Sequence, residues 1–215
     1  MIAQILLDWL PQLIPGLIAA LWLTVVSLAF GLPLGVLLGS VAELSSSRIV
    51  RGVLVVVIEI ARGLPALVLL YLIYYGLPSL QVIVDSFWSV IIAFTFSNAG
   101  YISEIVRGAI RGIPRGQFEA CQAIGISRWR GFVSVIAPQT FRIALPSLIN
   151  YAAIVFQSTS LAMAVAQPEL LGAAYNIGSI TFEYLPVFAL AGAMYAALVI
   201  LSSRLADRLG RRNAY

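Results

Sequence analysis

Glu59 and Arg62 stand three residues apart in otherwise apolar sequence, "VVIEIARGLPALVLL". On a helix that spacing brings the two side chains to one face, where they can pair with each other. A guanidinium also offers a planar, two-pronged donor to a carboxylate, so Arg62 can equally meet the carboxylate of a bound molecule. Both readings stand at the level of sequence. Ser97 and Glu104 are seven apart, as are Asn150 and Gln157, and seven residues return to nearly the same side of a helix. Such stripes either hydrogen-bond one helix to another, the usual work of Asn, Gln and Ser inside membranes, or line a polar cavity. For the second role the set is Glu59, Arg62, Asn98, Asn150 and Gln157. Glu104, with Arg107 three residues on, reads as a structural salt bridge, and Ser158, Thr159 and Ser160 are placed to line a gate.

Covalent chemistry is not on offer. The chain has no His, one Cys (Cys121) and carboxylates scattered over separate segments, so no nucleophile and base can be assembled, and an enzyme is not expected. The same inventory excludes a disulfide framework and makes a metal cage improbable. All 13 basic side chains are Arg. A phosphate-binding loop requires a Lys, so no such ATP site is expected here and no cofactor is implied; any ATP would be hydrolysed on another subunit.

The elements that hold these residues follow from composition. Of 215 residues 61% are hydrophobic and only 10% charged, with a mean hydropathy of +0.99. That is too little charge to cover a water-facing domain, so the solvent is a lipid bilayer. Crossing about 30 Å of hydrocarbon takes roughly 20 helical residues. Charge-poor windows of that length lie between Asp8 and Glu43, from about Val53 to Tyr75, Phe87 to Ile110, Arg142 to Ser160, and Pro186 to Ser203. The fold expected is therefore an all-α integral membrane protein with five transmembrane helices, read as one domain over residues 1–215. Gly31, Pro33, Pro65 and Pro146 fall in or near these windows and are tolerable in membrane helices. The opening "MIAQILLDWLPQLIPG" lacks the basic start and small-residue cleavage pattern of a signal peptide and is expected to be retained.

Arginine sets the orientation, because cytoplasmic loops carry the excess of positive charge. With the N-terminus outside and the C-terminus inside, the cytoplasmic segments take Arg48, Arg51, Arg107, Arg111, Arg115, Arg128, Arg130, Arg142, Arg204, Arg208, Arg211 and Arg212. The outer segments then hold Asp85, Glu169 and Glu183 and no Arg. The net charge of +4 records this topology and calls for no nucleic acid. On the outer side "PELLGAAYNIG" has the look of a short helix with Pro168 in its first turn and Glu169 near the positive end of its dipole, either a surface connection or a partner contact.

One polar segment interrupts the apolar sequence: "RGAIRGIPRGQFEACQAIGISRWRGF", around residues 111–130. Pro114 can start a helix, Glu119, Ala120, Gln122 and Ala123 favour one, and Gly125 is placed to end it in a left-handed cap. Helices this short are marginal in water alone. It either docks onto a cytoplasmic partner or lies on its own bundle.

Glu119 and Ala120, the reach to Gly125, and "SRWRGFVSVIAPQ" with Pro138 and Gln139 resemble the EAA loop of the permease subunits of ABC importers. "IEIARGLPALVLLYLIYYGLP", "SNAGYISEIVRGAIRGIPRGQ" and "QSTSLAMAVAQPELL" resemble the polar-amino-acid branch of that family (histidine, glutamine, glutamate and arginine permeases) and cover most of residues 58–171 in order. The resemblance implies a five-helix subunit of a bacterial inner membrane, crossing it several times. It would pair with a second permease subunit, identical or related, with an ATPase dimer that binds the ATP, and with an extracytoplasmic substrate-binding protein. It also implies a coupling helix in which Gln117, Glu119, Ala120, Ala123 and Gly125 face the ATPase. Cys121 stands where the family signature has its second Ala, and Gln157 where the family often has a Lys. The function expected is passage of a polar amino acid to the cytoplasm driven by ATP; a channel independent of ATP is the alternative.

Overall fold

The computed structural model describes residues 2–212, and every regular element in them is helical. In chain order these are α1 (Ile2–Leu44), α2 (Arg48–Gly63), α3 (Ala66–Tyr71), α4 (Ser86–Arg111), α5 (Arg115–Ala123), α6 (Arg128–Gly131), α7 (Ala137–Ser158), α8 (Leu170–Thr181) and α9 (Tyr184–Arg212). A π turn, Leu72–Gly76, and a 3-10 turn, Leu77–Leu80, extend α3; another π turn, Phe132–Ile136, joins α6 to α7. Four stretches are long and apolar enough to cross a membrane: Asp8–Leu44, Ser86–Arg111, Arg128–Val165 and Tyr184–Gly210.

The second span is not the single helix expected over Val53–Tyr75. It is broken between Gly63 and Ala66, where α2 and the α3 run meet at 93°; counted as one broken span, the pair brings the total to five. Pro65 lacks an N–H and disfavours helical backbone at Leu64, so the helix stops at Gly63 and restarts with Pro65 as its cap. The fourth span also runs beyond its expected limits, from Arg128 rather than Arg142. A charged residue ends a charge-free window, but it does not end a helix whose backbone bonds continue.

The chain divides into two compact units, each built from three separate stretches: residues 1–30, 64–95 and 152–202 in one, and 31–63, 96–151 and 203–215 in the other. Within the first, Trp9, Leu13 and Ala20 of α1 bury against Leu170, Ala174 and Ile177 of α8 and Val187 of α9. A second core joins Leu23 to Leu70, Ile73, Phe94 and Val165. Many large apolar side chains, among them Trp22, Phe30 and Leu201, are turned outward, as expected where lipid is the solvent.

Within the other unit, α1 meets α4 through Gly35 and Gly39. A methyl group on Gly39 would lie 2.5 Å from the carbonyl oxygen of Ser103, and one on Gly35 2.7 Å from Cβ of Ile102. "GVLLG" is thus a small-xxx-small face that lets two backbones touch.

Glu169 shows how α8 is started. It is the N-cap itself, with Pro168 one place ahead of it rather than in the first turn, and its carboxylate accepts from the N–H groups of Leu171 (2.7 Å) and Gly172 (2.5 Å). The hydroxyl of Tyr195 donates to the same group at 2.9 Å. Glu169 is 1% exposed, and burial pushes its carboxyl above the ordinary value, opposed by these donors. Its protonated form is therefore favoured by folding, and that contribution is lost as pH rises through the raised value. Glu169→Ala is expected to cost about 1–2 kcal/mol, the usual loss for a removed cap. Glu169→Gln, which keeps an acceptor oxygen, should cost less; thermal unfolding of the detergent-solubilised protein checks the order.

Candidate functional site

In the unit that contains α2, three of the five expected cavity residues are joined into one polar chain. Arg62 and Glu59 pair at 3.2 Å across one turn of α2. The Arg62 guanidinium lies over the ring of Tyr101 on α4, 5.7 Å from its centre, and the Tyr101 hydroxyl donates to the carbonyl of Arg62 at 3.3 Å. Tyr101 in turn stacks on Tyr151 of α7 at 5.6 Å, whose hydroxyl donates to Oδ1 of Asn98 at 3.0 Å. Asn98 is 3% exposed, whereas Glu59 remains exposed.

This chain holds a carboxylate, a guanidinium and an amide beside two aromatic faces. The Arg62 Nε atom is buried without a hydrogen-bond partner. Asn150 and Gln157 are exposed, Asn150 beside Tyr151 in sequence and Gln157 in the other unit. Tyr101 and Tyr151, which connect the set, carry neither a charge nor an amide, and hydropathy alone does not separate an aromatic side chain that faces a cavity from one that faces lipid. The available signal was their place in the helix: Tyr101 is three residues beyond Asn98, and Tyr151 follows Asn150.

The expected Glu104–Arg107 ion pair is present, but it is part of a larger group. Glu43, at the end of α1, accepts from Arg107 Nε at 3.3 Å and from two nitrogens of Arg111 at 2.9 and 2.8 Å. The Arg107 side chain is only 10% exposed, so these carboxylates hold a nearly buried cation that would otherwise be unpaired.

The α5 helix occurs where the sequence puts it. Pro114 precedes it, and Gly125 follows with φ +73°, a conformation that glycine enters without strain. The amide of Ile126 bonds the Cys121 carbonyl at 3.3 Å and that of Gly125 bonds the Gln122 carbonyl at 3.0 Å, which is the Schellman ending. Nothing on α5 is buried. Phe118 and Cys121 are half-exposed and border an apolar cavity of about 220 Å³, whereas Glu119, Ala120, Ala123 and Gly125 are exposed. Gln117 is also exposed and is approached by Nε2 of Gln139 at 3.3 Å. Ile124, just past the helix, is 73% exposed. A short helix with a small-residue face, an exposed Ile and so little burial is poorly covered by its own chain.

Comparison with known proteins bears on what this arrangement serves. Residues 31–215 match the family model described as "binding-protein-dependent transport system inner membrane component". The probable amino-acid ABC transporter permease protein YckA of Bacillus subtilis is 31% identical over 99% of this chain and 93% of its own length. The L-cystine transport system permease protein TcyB of the same organism is 34% identical (94% and 86%), and the glutamine transport system permease protein GlnP of Escherichia coli is also 34% identical (95% and 97%). Among solved structures, an amino acid ABC transporter crystallised with histidines superposes with a TM-score of 0.89 at 28% identity, covering 96% of each chain. The MetNI methionine ABC transporter superposes with 0.81 at 21% identity over 95% of this chain and 97% of its own, a likeness of fold.

Proposed function

The chain belongs to the binding-protein-dependent transport system inner membrane components, and from that membership we infer that it passes a polar amino acid, delivered by an extracytoplasmic binding protein, through the bilayer to the cytoplasm. It is a multi-pass membrane subunit of an ATP-driven importer and a transport subunit rather than an enzyme. ATP is bound and split on a separate ATPase dimer, so no cofactor resides here, and a second permease subunit completes the pathway. The α5 helix is the contact through which closure of the ATPase is transmitted.

The observation that carries the cargo reading is the pairing of Arg62 with Glu59 at 3.2 Å, with Tyr101 beneath the guanidinium. An α-amino acid carries one carboxylate and one ammonium, and this pair offers the opposite charge to each. Arg62 would take the carboxylate, Glu59 the ammonium, and Asn98 and Asn150 the polar remainder. The pair at rest keeps each charge compensated until the cargo replaces it, which lowers the cost of holding charge among apolar helices.

The test is uptake into proteoliposomes containing the complete transporter, with radiolabelled amino acids supplied on the binding-protein side. Uptake that requires ATP, the binding protein and the ATPase supports the importer. Equilibration without ATP would replace it with the channel. In the same assay Arg62→Gln is expected to lower uptake about 10- to 100-fold, the worth of one charge-assisted hydrogen bond. Tyr101→Ala should lower it by up to about 10-fold through loss of the ring beneath the guanidinium, whereas Tyr101→Phe, which keeps the ring, should retain most activity. Equal losses in the two Tyr101 variants would assign the effect to the hydroxyl instead.

A further inference from the structure

A groove of about 700 Å³ runs beside α1 in the unit that holds its C-terminal part, with Pro33, Val36, Leu37 and Val41 on one side and Trp129 and Phe132 on the other. It lies within the range of about 300–1,000 Å³ typical of small-molecule sites. We propose that it holds one anionic phospholipid, an acyl chain lying along α1 and the phosphate meeting Arg128 and Arg51 at the end of the helix.

Length, polarity and charge each point to this occupant. From Pro33 to Leu44 is twelve residues of helix, about 18 Å at 1.5 Å per residue, and one leaflet contributes about half of a 30 Å hydrocarbon core. The groove therefore has the reach of a single leaflet, apolar along its length apart from Ser40 and polar where α1 ends. At that end Ser45 and Arg128 line it, and the Arg51 guanidinium is held there by a 2.7 Å hydrogen bond to the Ser45 carbonyl. Arg128 forms no ion pair with any described residue. Glu43, close by in sequence, already accepts from Arg107 and Arg111, so it does not cancel the charge. No carboxylate lines the groove, which leaves nothing to greet the cationic part of a zwitterionic headgroup. Trp129 is 72% exposed at the rim, the position of an aromatic anchor between hydrocarbon and headgroup. Basic pockets on the cytoplasmic side of membrane helices select anionic headgroups by the same means.

The experiment places Trp129 alone as reporter, with Trp9, Trp22 and Trp88 and the tryptophans of the other subunits changed to Phe, in the whole transporter reconstituted into phosphatidylcholine vesicles. A small and equal fraction of acyl-brominated phosphatidylglycerol or acyl-brominated phosphatidylcholine is added, and quenching of Trp129 fluorescence is compared. Preference for the phosphatidylglycerol by about fivefold per arginine is expected. Arg128→Gln together with Arg51→Gln should abolish the preference, while Arg130→Gln, outside the groove, should leave most of it. Equal quenching by the two lipids, or a preference that survives the double change, overturns the proposal. So does absence of quenching by either lipid, which would mean that a protein surface covers the groove.

Discussion

Gly39→Leu is expected to prevent stable folding of the membrane protein, at a cost of about 3 kcal/mol or more, the upper part of the range for overpacking. The Cβ it introduces would lie 2.5 Å from the Ser103 carbonyl oxygen and 3.0 Å from its Cα. Those atoms are backbone, so no side-chain rotation relieves the clash; α1 and α4 must part. Separation there pulls Glu43 away from Arg107 and Arg111 and leaves a nearly buried guanidinium without its partner, adding to the loss. Gly39→Ala should fall between the parent and the Leu variant. Gly52→Leu, where an added Cβ meets nothing within 4 Å, should be close to neutral. Thermal unfolding in detergent distinguishes these outcomes, and a Gly39→Leu protein that melts with the parent would show that the helices need not touch here.

The second large effect is expected at α5, on the proposed docking of that helix to the ATPase. Glu119→Arg reverses an exposed charge, and Gly125→Trp puts a bulky residue where φ is +73°, a conformation costing an L-residue about 1–2 kcal/mol. Because nothing on α5 is buried, neither change should disturb the spans. Both should reduce co-purification of the ATPase and transport-linked ATP hydrolysis by about 10-fold or more, the scale of losing one interface hot spot. Unfolding of the permease alone should be nearly unchanged for Glu119→Arg and lowered slightly for Gly125→Trp. Normal binding and coupling in both variants would make α5 a surface helix and remove the support that it gives to the importer.

What sequence resolves here depends on how far apart the interacting residues lie. The Glu59–Arg62 and Glu104–Arg107 pairs are legible because helix periodicity alone brings residues three apart together. The α5 helix is legible because Pro114 and Gly125 constrain the backbone at its ends without help from the rest of the fold. Pro65 carried the break in the second span, yet hydropathy concealed it: an apolar window scores the same whether its helix is continuous or broken. Pro168 suits the first turn of α8 by its missing N–H, but the side chain of Glu169 caps the free N–H groups and sets the boundary one residue later.

By itself the sequence determined the solvent, the helical class and the local pairs, since composition and short-range periodicity suffice for each. Tertiary structure alone decided the partners: Gly39 against Ser103, Glu43 with Arg107 and Arg111, and Tyr101 and Tyr151 between Arg62 and Asn98. These contacts join residues 39 to 68 apart along the chain for the hydrogen-bonded pairs. Periodicity says which residues share a face, but which face of one helix meets which face of another is settled only when the backbones pack.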